Sequence, residues 1–95
     1  MLADAALGVD PKSWTAQVLA FLRGQLDDKG LVAAAKDAGS RTEAHAYIGF
    51  MHLENGHDDA ARTEFEWVRD NGLPNYSEYP LAIGQLRLLD KAASR

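Results

Sequence analysis

Ninety-five residues leave room for one small domain built round one hydrophobic core. Ten Lys and Arg residues stand against fourteen Asp and Glu, a net charge of −4 at pH 7, and this acidic balance excludes a nucleic-acid backbone as the expected partner. The chain has no cysteine, which excludes disulfides, thiolate metal sites and cysteine nucleophiles, and no apolar run nears the ~20 residues of a membrane helix.

Helix is the expected state throughout, because alanine is abundant and no stretch alternates apolar with polar residues for long enough to be a strand. The first predicted element is a stub at residues 2–7, ended by Gly8 and the turn pair Asp10-Pro11. It holds Asp4 and is too short for the apolar core of a leader peptide, so the sequence names no compartment. A second helix is predicted over about residues 12–23, where Trp14, Val18, Phe21 and Leu22 recur at three- and four-residue steps. Asp27 is expected to cap a third helix by accepting from its free backbone N–H groups, with Asp28 adding favourable charge. That helix is expected to run to about residue 38 and to be closed by Gly39 and Ser40.

A fourth helix is predicted over about residues 41–55, stopped by Gly56. A fifth follows over about residues 58–71, broken by Asn71-Gly72 and Pro74. Ser77 is expected to cap a sixth, over about residues 78–90, with Pro80 in the first turn, where its missing N–H costs little. Ile83, Leu86 and Leu89 form its apolar face, and residues 91–95 are expected to fray.

Catalytic chemistry has no motif to stand on. Ser13, Ser40, Ser77 and Ser94 fall at caps, loops or the tail, and none sits in a Gly-x-Ser-x-Gly elbow. The pairs Asp58/Asp59 and Glu64/Glu66 do not converge on a helix, and there is no glycine-rich phosphate loop. The reading is a non-enzymatic chain without a cofactor. His45 and His52 are seven apart, about 10 Å along a helix, too far for one metal ion with bonds of about 2 Å. His57 lies beside Asp58 and Asp59 at a helix start, where the acids serve as cap and dipole charge. All three histidines therefore read as packing or surface groups, with no metal site. Arg62 and Arg69 are expected to pair with Glu66 and neighbouring carboxylates in water.

Residues 42–75 form a 34-residue helix–turn–helix whose pattern resembles a tetratricopeptide repeat. Gly49 after Ile48 stands where that family keeps a small residue between its two helices, and Gly56-His57-Asp58 resembles the family's turn. Ala61 and, four residues on, Phe65 match the small and aromatic positions of the second helix. Val68 replaces a usual Ala, Pro74 closes the unit one residue late, and His45 and His52 fill two positions that are usually aromatic. Ala6-Leu7-Gly8-Val9-Asp10-Pro11 is similar to the end of a preceding repeat. The order of a Trp-bearing helix, a short Ala-rich helix and Glu43-Ala44-His45-Ala46-Tyr47-Ile48-Gly49, followed by Asn75-Tyr76-Ser77-Glu78-Tyr79, is similar to the NlpI-like bacterial members of the family.

The resemblance implies an all-α fold of antiparallel helix pairs stacked as a short right-handed solenoid, a single domain over residues 1–95. Residues 1–11 would be the tail of a truncated repeat, 12–41 a degenerate repeat, 42–75 the clear repeat and 76–90 a capping helix. It also implies an adaptor or scaffold that binds a protein or peptide on its concave side and forms a homo-oligomer, located in a bacterial cytoplasm or periplasm. In this family the groove positions of the first helix correspond to Glu43, Ala46, Tyr47, Phe50, Leu53 and Glu54. Tyr47, Phe50 and Leu53 follow at three-residue steps and share a face. Two readings of that face stand: a partner surface flanked by Glu43 and Glu54, or a core face covered by Trp14 and Phe21. Ile83 and Leu86 on the terminal helix are a second candidate surface. A Lys/Asn/Arg clamp for a terminal carboxylate is absent, so the expected ligand is apolar. The competing reading is a self-assembling piece in which two copies close over an exposed repeat edge, as a cyclic dimer.

Overall fold

Three side-chain caps start three of the five helices in the computed structural model, which describes residues 13–93 and has no strand among them. The predicted stub and the repeat tail before Ser13 lie outside the described residues. The helices are α1 (Trp14–Leu22), α2 (Asp28–Ala34), α3 (Ala38–Glu54), α4 (Asp58–Asn71) and α5 (Glu78–Ala93). The chain divides into two compact units, one ending at Lys36 and one beginning at Asp37.

In the first unit, Ser13 accepts from the Ala16 N–H at 3.2 Å and Asp27 accepts from the Gly30 N–H at 2.8 Å, which satisfies donors that a helix start leaves open. Gly24 ends α1 at φ 76°, a left-handed conformation that glycine adopts without a Cβ penalty. Its N–H donates to Phe21 O and the Gln25 N–H donates to Ala20 O, closing the helix with paired bonds. Ala16, Phe21, Leu31 and Ala35 are the buried side chains here.

The second unit begins earlier than the sequence suggests. Gly39 and Ser40 do not close the third helix; that helix ends at Ala34, and both residues lie in the first turn of α3. Asp37 is the cap, accepting from the Ser40 N–H at 2.7 Å. Gly39 fits because Tyr76 occupies the space beside it, so that a Cβ there would collide with the Tyr76 hydroxyl. At the other end of α3 the bonds seen at Gly24 recur. Gly56 has φ 78°, its N–H donates to Leu53 O, and the His57 N–H donates to His52 O at 2.8 Å.

Cross-contacts fix the directions. Thr42 meets Leu73, His45 meets Trp67 and Gly49 meets Phe65, so residues further along α3 meet residues earlier in or just after α4, and the pair is antiparallel. Between α4 and α5 the same descending order holds, with Arg62 paired to Asp90 and the Tyr79 hydroxyl donating to Arg69 O at 3.1 Å. The core between the three helices is Ala46, Ala61, Phe65, Val68, Ala82 and Leu86, with Phe50, Leu53, Trp67, Tyr79, Ile83 and Leu89 packed round it.

Two further expectations at α5 change. Pro80 falls at the third helical position, and its missing N–H is one that a Ser77 cap would have used. The Tyr79 N–H goes to Tyr76 O, and the Ser77 hydroxyl donates instead to Glu78 Oε2 at 2.9 Å. The helix also continues to Ala93, past the expected end at residue 90. No helix among the described residues is long and apolar enough to cross a membrane.

Candidate binding surface

The α3 strip picked out by its spacing is partly open and partly core. Tyr47, Phe50 and Leu53 are all half-buried, Glu43 is half-buried and Glu54 is exposed. Ala46, at a groove position of the resembled family, is fully buried in the core. Phe50 and Leu53 lean on that core, and the Phe50 ring meets the Phe65 ring edge-on at 5.2 Å. Tyr47 is outside the core set. Burial raises its hydroxyl above the ordinary value of 10.0, and the nearby carboxylates of Glu78 and Glu43 raise it further, because ionisation would place a third negative charge beside two.

The second candidate surface does not survive as a surface. Leu86 is only 5% exposed and belongs to the core, and Ile83 packs against it, because both lie on the α5 face turned to α3 and α4. The large apolar side chains that α5 leaves exposed are Leu81 and Leu88.

His45 and His52 are half-buried and His57 is exposed. The His45 ring stacks on Trp67 with centroids 3.8 Å apart and planes 19° apart, and its Nδ1 lies 2.7 Å from Glu64 Oε1. His45 thus supplies a flat ring where the resembled repeat keeps an aromatic one. Its partners are 19 and 22 residues away, so no local signal could have found them. The His52 and His57 rings lie near each other at a tilt of 48°, with centroids 5.9 Å apart. Among the described residues no three His, Asp or Glu side chains gather as a metal ion would need.

Asp58 and Asp59 lie in the first turn of α4 as expected, but the cap position is His57, which makes no side-chain cap bond. Arg62 pairs with Asp90 and Arg69 with its neighbour Asp70, at 2.9 Å, and the Glu66 carboxylate acts on both at longer range. Asp58, Asp59 and Arg62 line an open recess of about 260 Å³ with Leu89 and Ala92.

Thr42 is the polar residue that the sequence reading missed. It is fully buried, donates from Oγ1 to Ala38 O at 2.8 Å and accepts from the Leu73 N–H at 3.0 Å. The first bond stays within α3; the second ties the start of α3 to the turn after α4.

Compared with family models, with curated proteins and with solved structures, the chain matches none.

Proposed function

We propose that this chain is a tetratricopeptide-type protein-interaction module with no chemistry of its own, and that α3 carries its contact surface. The reading is supported by the antiparallel α3–α4 pair, in which Gly49 lets the Phe65 ring lie against the first helix. It is supported too by α5, which packs on both members of that pair. A solenoid built from such units uses its first helices to line a concave face.

The observation that carries the reading is Tyr47, half-exposed and outside the core, with the carboxylates of Glu43 and Glu78 beside it. An aromatic face next to two carboxylates suits a Lys or Arg side chain, and the open parts of Phe50 and Leu53 suit an adjoining apolar one. The partner is therefore a protein segment with an apolar anchor and a basic neighbour. Random peptides selected against the 95-residue chain should enrich that pattern. Tyr47→Ala should weaken the selected peptides by about tenfold or more, with helicity unchanged. Failure to enrich any pattern, or binding indifferent to Tyr47→Ala, would count against the surface.

A further inference from the structure

The turn between α3 and α4 brings together two imidazoles of a kind that a single helix keeps apart. His45 and His52 are two helical turns from one another, but His57 returns to His52 because the chain reverses at Gly56. The backbone bond that closes α3, from the His57 N–H to His52 O at 2.8 Å, ties the two residues directly. Their ring centroids stand 5.9 Å apart. The turn at Gly24 makes the same pair of bonds with Ala20 and Gln25 in the equivalent places, so the reversal itself needs no imidazole. Nor does α4 use the exposed His57 ring, which makes no side-chain cap bond at the helix start.

That separation suits one metal ion. With a metal–nitrogen bond of about 2.0–2.1 Å and a ring centre about 1.1 Å behind the nitrogen, each centroid lies about 3.2 Å from the ion. Two such rings stand about 4.5 Å apart at a right angle, about 5.2 Å at the tetrahedral angle and about 6.4 Å on opposite sides of the ion. The observed 5.9 Å falls inside that range. Each imidazole has two ring nitrogens, so one can bind the ion while the other keeps a hydrogen bond. Glu54, Asp58 and Asp59 flank the turn and no Lys or Arg stands between Leu53 and Ala61, so the local potential draws cations.

We propose that His52 and His57 chelate one divalent transition-metal ion across the α3–α4 turn. Two neutral nitrogen donors select Cu²⁺, then Ni²⁺ and Zn²⁺, over Mg²⁺ and Ca²⁺, which prefer oxygen ligands. No third His, Asp or Glu gathers with them among the described residues, so water fills the remaining positions and the ion exchanges readily. This is an open surface site and not a closed structural centre. Bound there, the ion clamps the end of α3 to the start of α4 and stabilises the folded chain. The site uses neither Tyr47 nor Phe50, and it stands or falls independently of the proposed α3 contact.

Titration calorimetry of the untagged 95-residue chain with Cu²⁺, Ni²⁺ or Zn²⁺ chloride should show one saturable site per chain, tightest for Cu²⁺. His57→Ala should weaken binding by about tenfold or more, because the chelate becomes a single imidazole, and His52→Ala should do the same. His45→Phe, which keeps a ring against Trp67, should bind the ions as the wild type does. Ni²⁺ should raise the Tm of the wild type and leave that of His57→Ala unchanged, a variant that removes no cap bond from α4. Absence of saturable binding with each ion up to about 1 mM would overturn the proposal. So would binding indifferent to His57→Ala, or a loss as large with His45→Phe as with His52→Ala.

Discussion

The Phe65 ring lies so close to the Gly49 backbone that a Cβ at Gly49 would come within 2.5 Å of Phe65 Cε1. Gly84, also inside a helix, has open space in the same direction. Alanine favours both positions by helix propensity, about 0.5–1 kcal/mol. At Gly49 overpacking of about 1–3 kcal/mol opposes that gain, so Gly49→Ala should destabilise. Gly84→Ala should stabilise by about 0.5–1 kcal/mol. Urea denaturation of the two variants checks the contrast, and equal effects would mean that α3 and α4 do not touch at Gly49.

Thr42 offers a second test, because its hydroxyl is both donor and acceptor in a fully buried place. Thr42→Val keeps the shape but leaves the Leu73 N–H without its acceptor, at a cost of about 1–3 kcal/mol. Thr42→Ser keeps the bonds and should cost less than Thr42→Val. If valine is tolerated as well as serine, the Leu73 bond contributes nothing.

What could be read in advance was local. The cap at Asp27, the stop at Gly56 and the break after Asn71 each depend on a few neighbouring residues, and each stands where chain chemistry puts it. The start of α3 was not legible, because Gly39 and Ser40 read as a helix end until Tyr76, 37 residues on, fills the space beside Gly39. His45 was likewise readable only as a departure from an aromatic pattern, since Trp67 and Glu64 come to it through the turn. On α5 the apolar spacing of Ile83, Leu86 and Leu89 was visible, but periodicity alone does not say whether such a face meets a core or a partner. The fold answers that it meets the core, and that Leu81 and Leu88 are left outside.

Asp37 and Tyr47 each give stability a pH dependence of known sign. The Asp37 carboxyl is held below its ordinary value of 3.8, chiefly by the Ser40 backbone N–H and then by the Ser40 hydroxyl. Its contribution is complete above that ordinary value and is lost as pH falls through the lowered one. Asp37→Ala should therefore lower stability at neutral pH and flatten the acid limb of a thermal-denaturation profile. An unchanged acid limb would remove Asp37 from the account.

Tyr47 acts at the other end. Its folded hydroxyl titrates above 10.0, so the unfolded chain ionises first as pH rises past that value. Below it the hydroxyl is protonated in both states and adds no slope; above it stability declines until the folded hydroxyl also ionises. Thermal denaturation between pH 9 and 11 should show a smaller decline for Tyr47→Phe than for the wild type. An identical decline would mean that neither burial nor the two carboxylates act on this hydroxyl.

The central claim, that α3 carries the contact surface, is tested most directly by nuclear magnetic resonance of the ¹⁵N-labelled chain titrated with a peptide selected against it. The account expects the largest amide shifts at Glu43, Tyr47, Phe50 and Glu54. Shifts concentrated at Leu81 and Leu88, or round the recess of Asp58, Arg62 and Leu89, with α3 undisturbed, would contradict it.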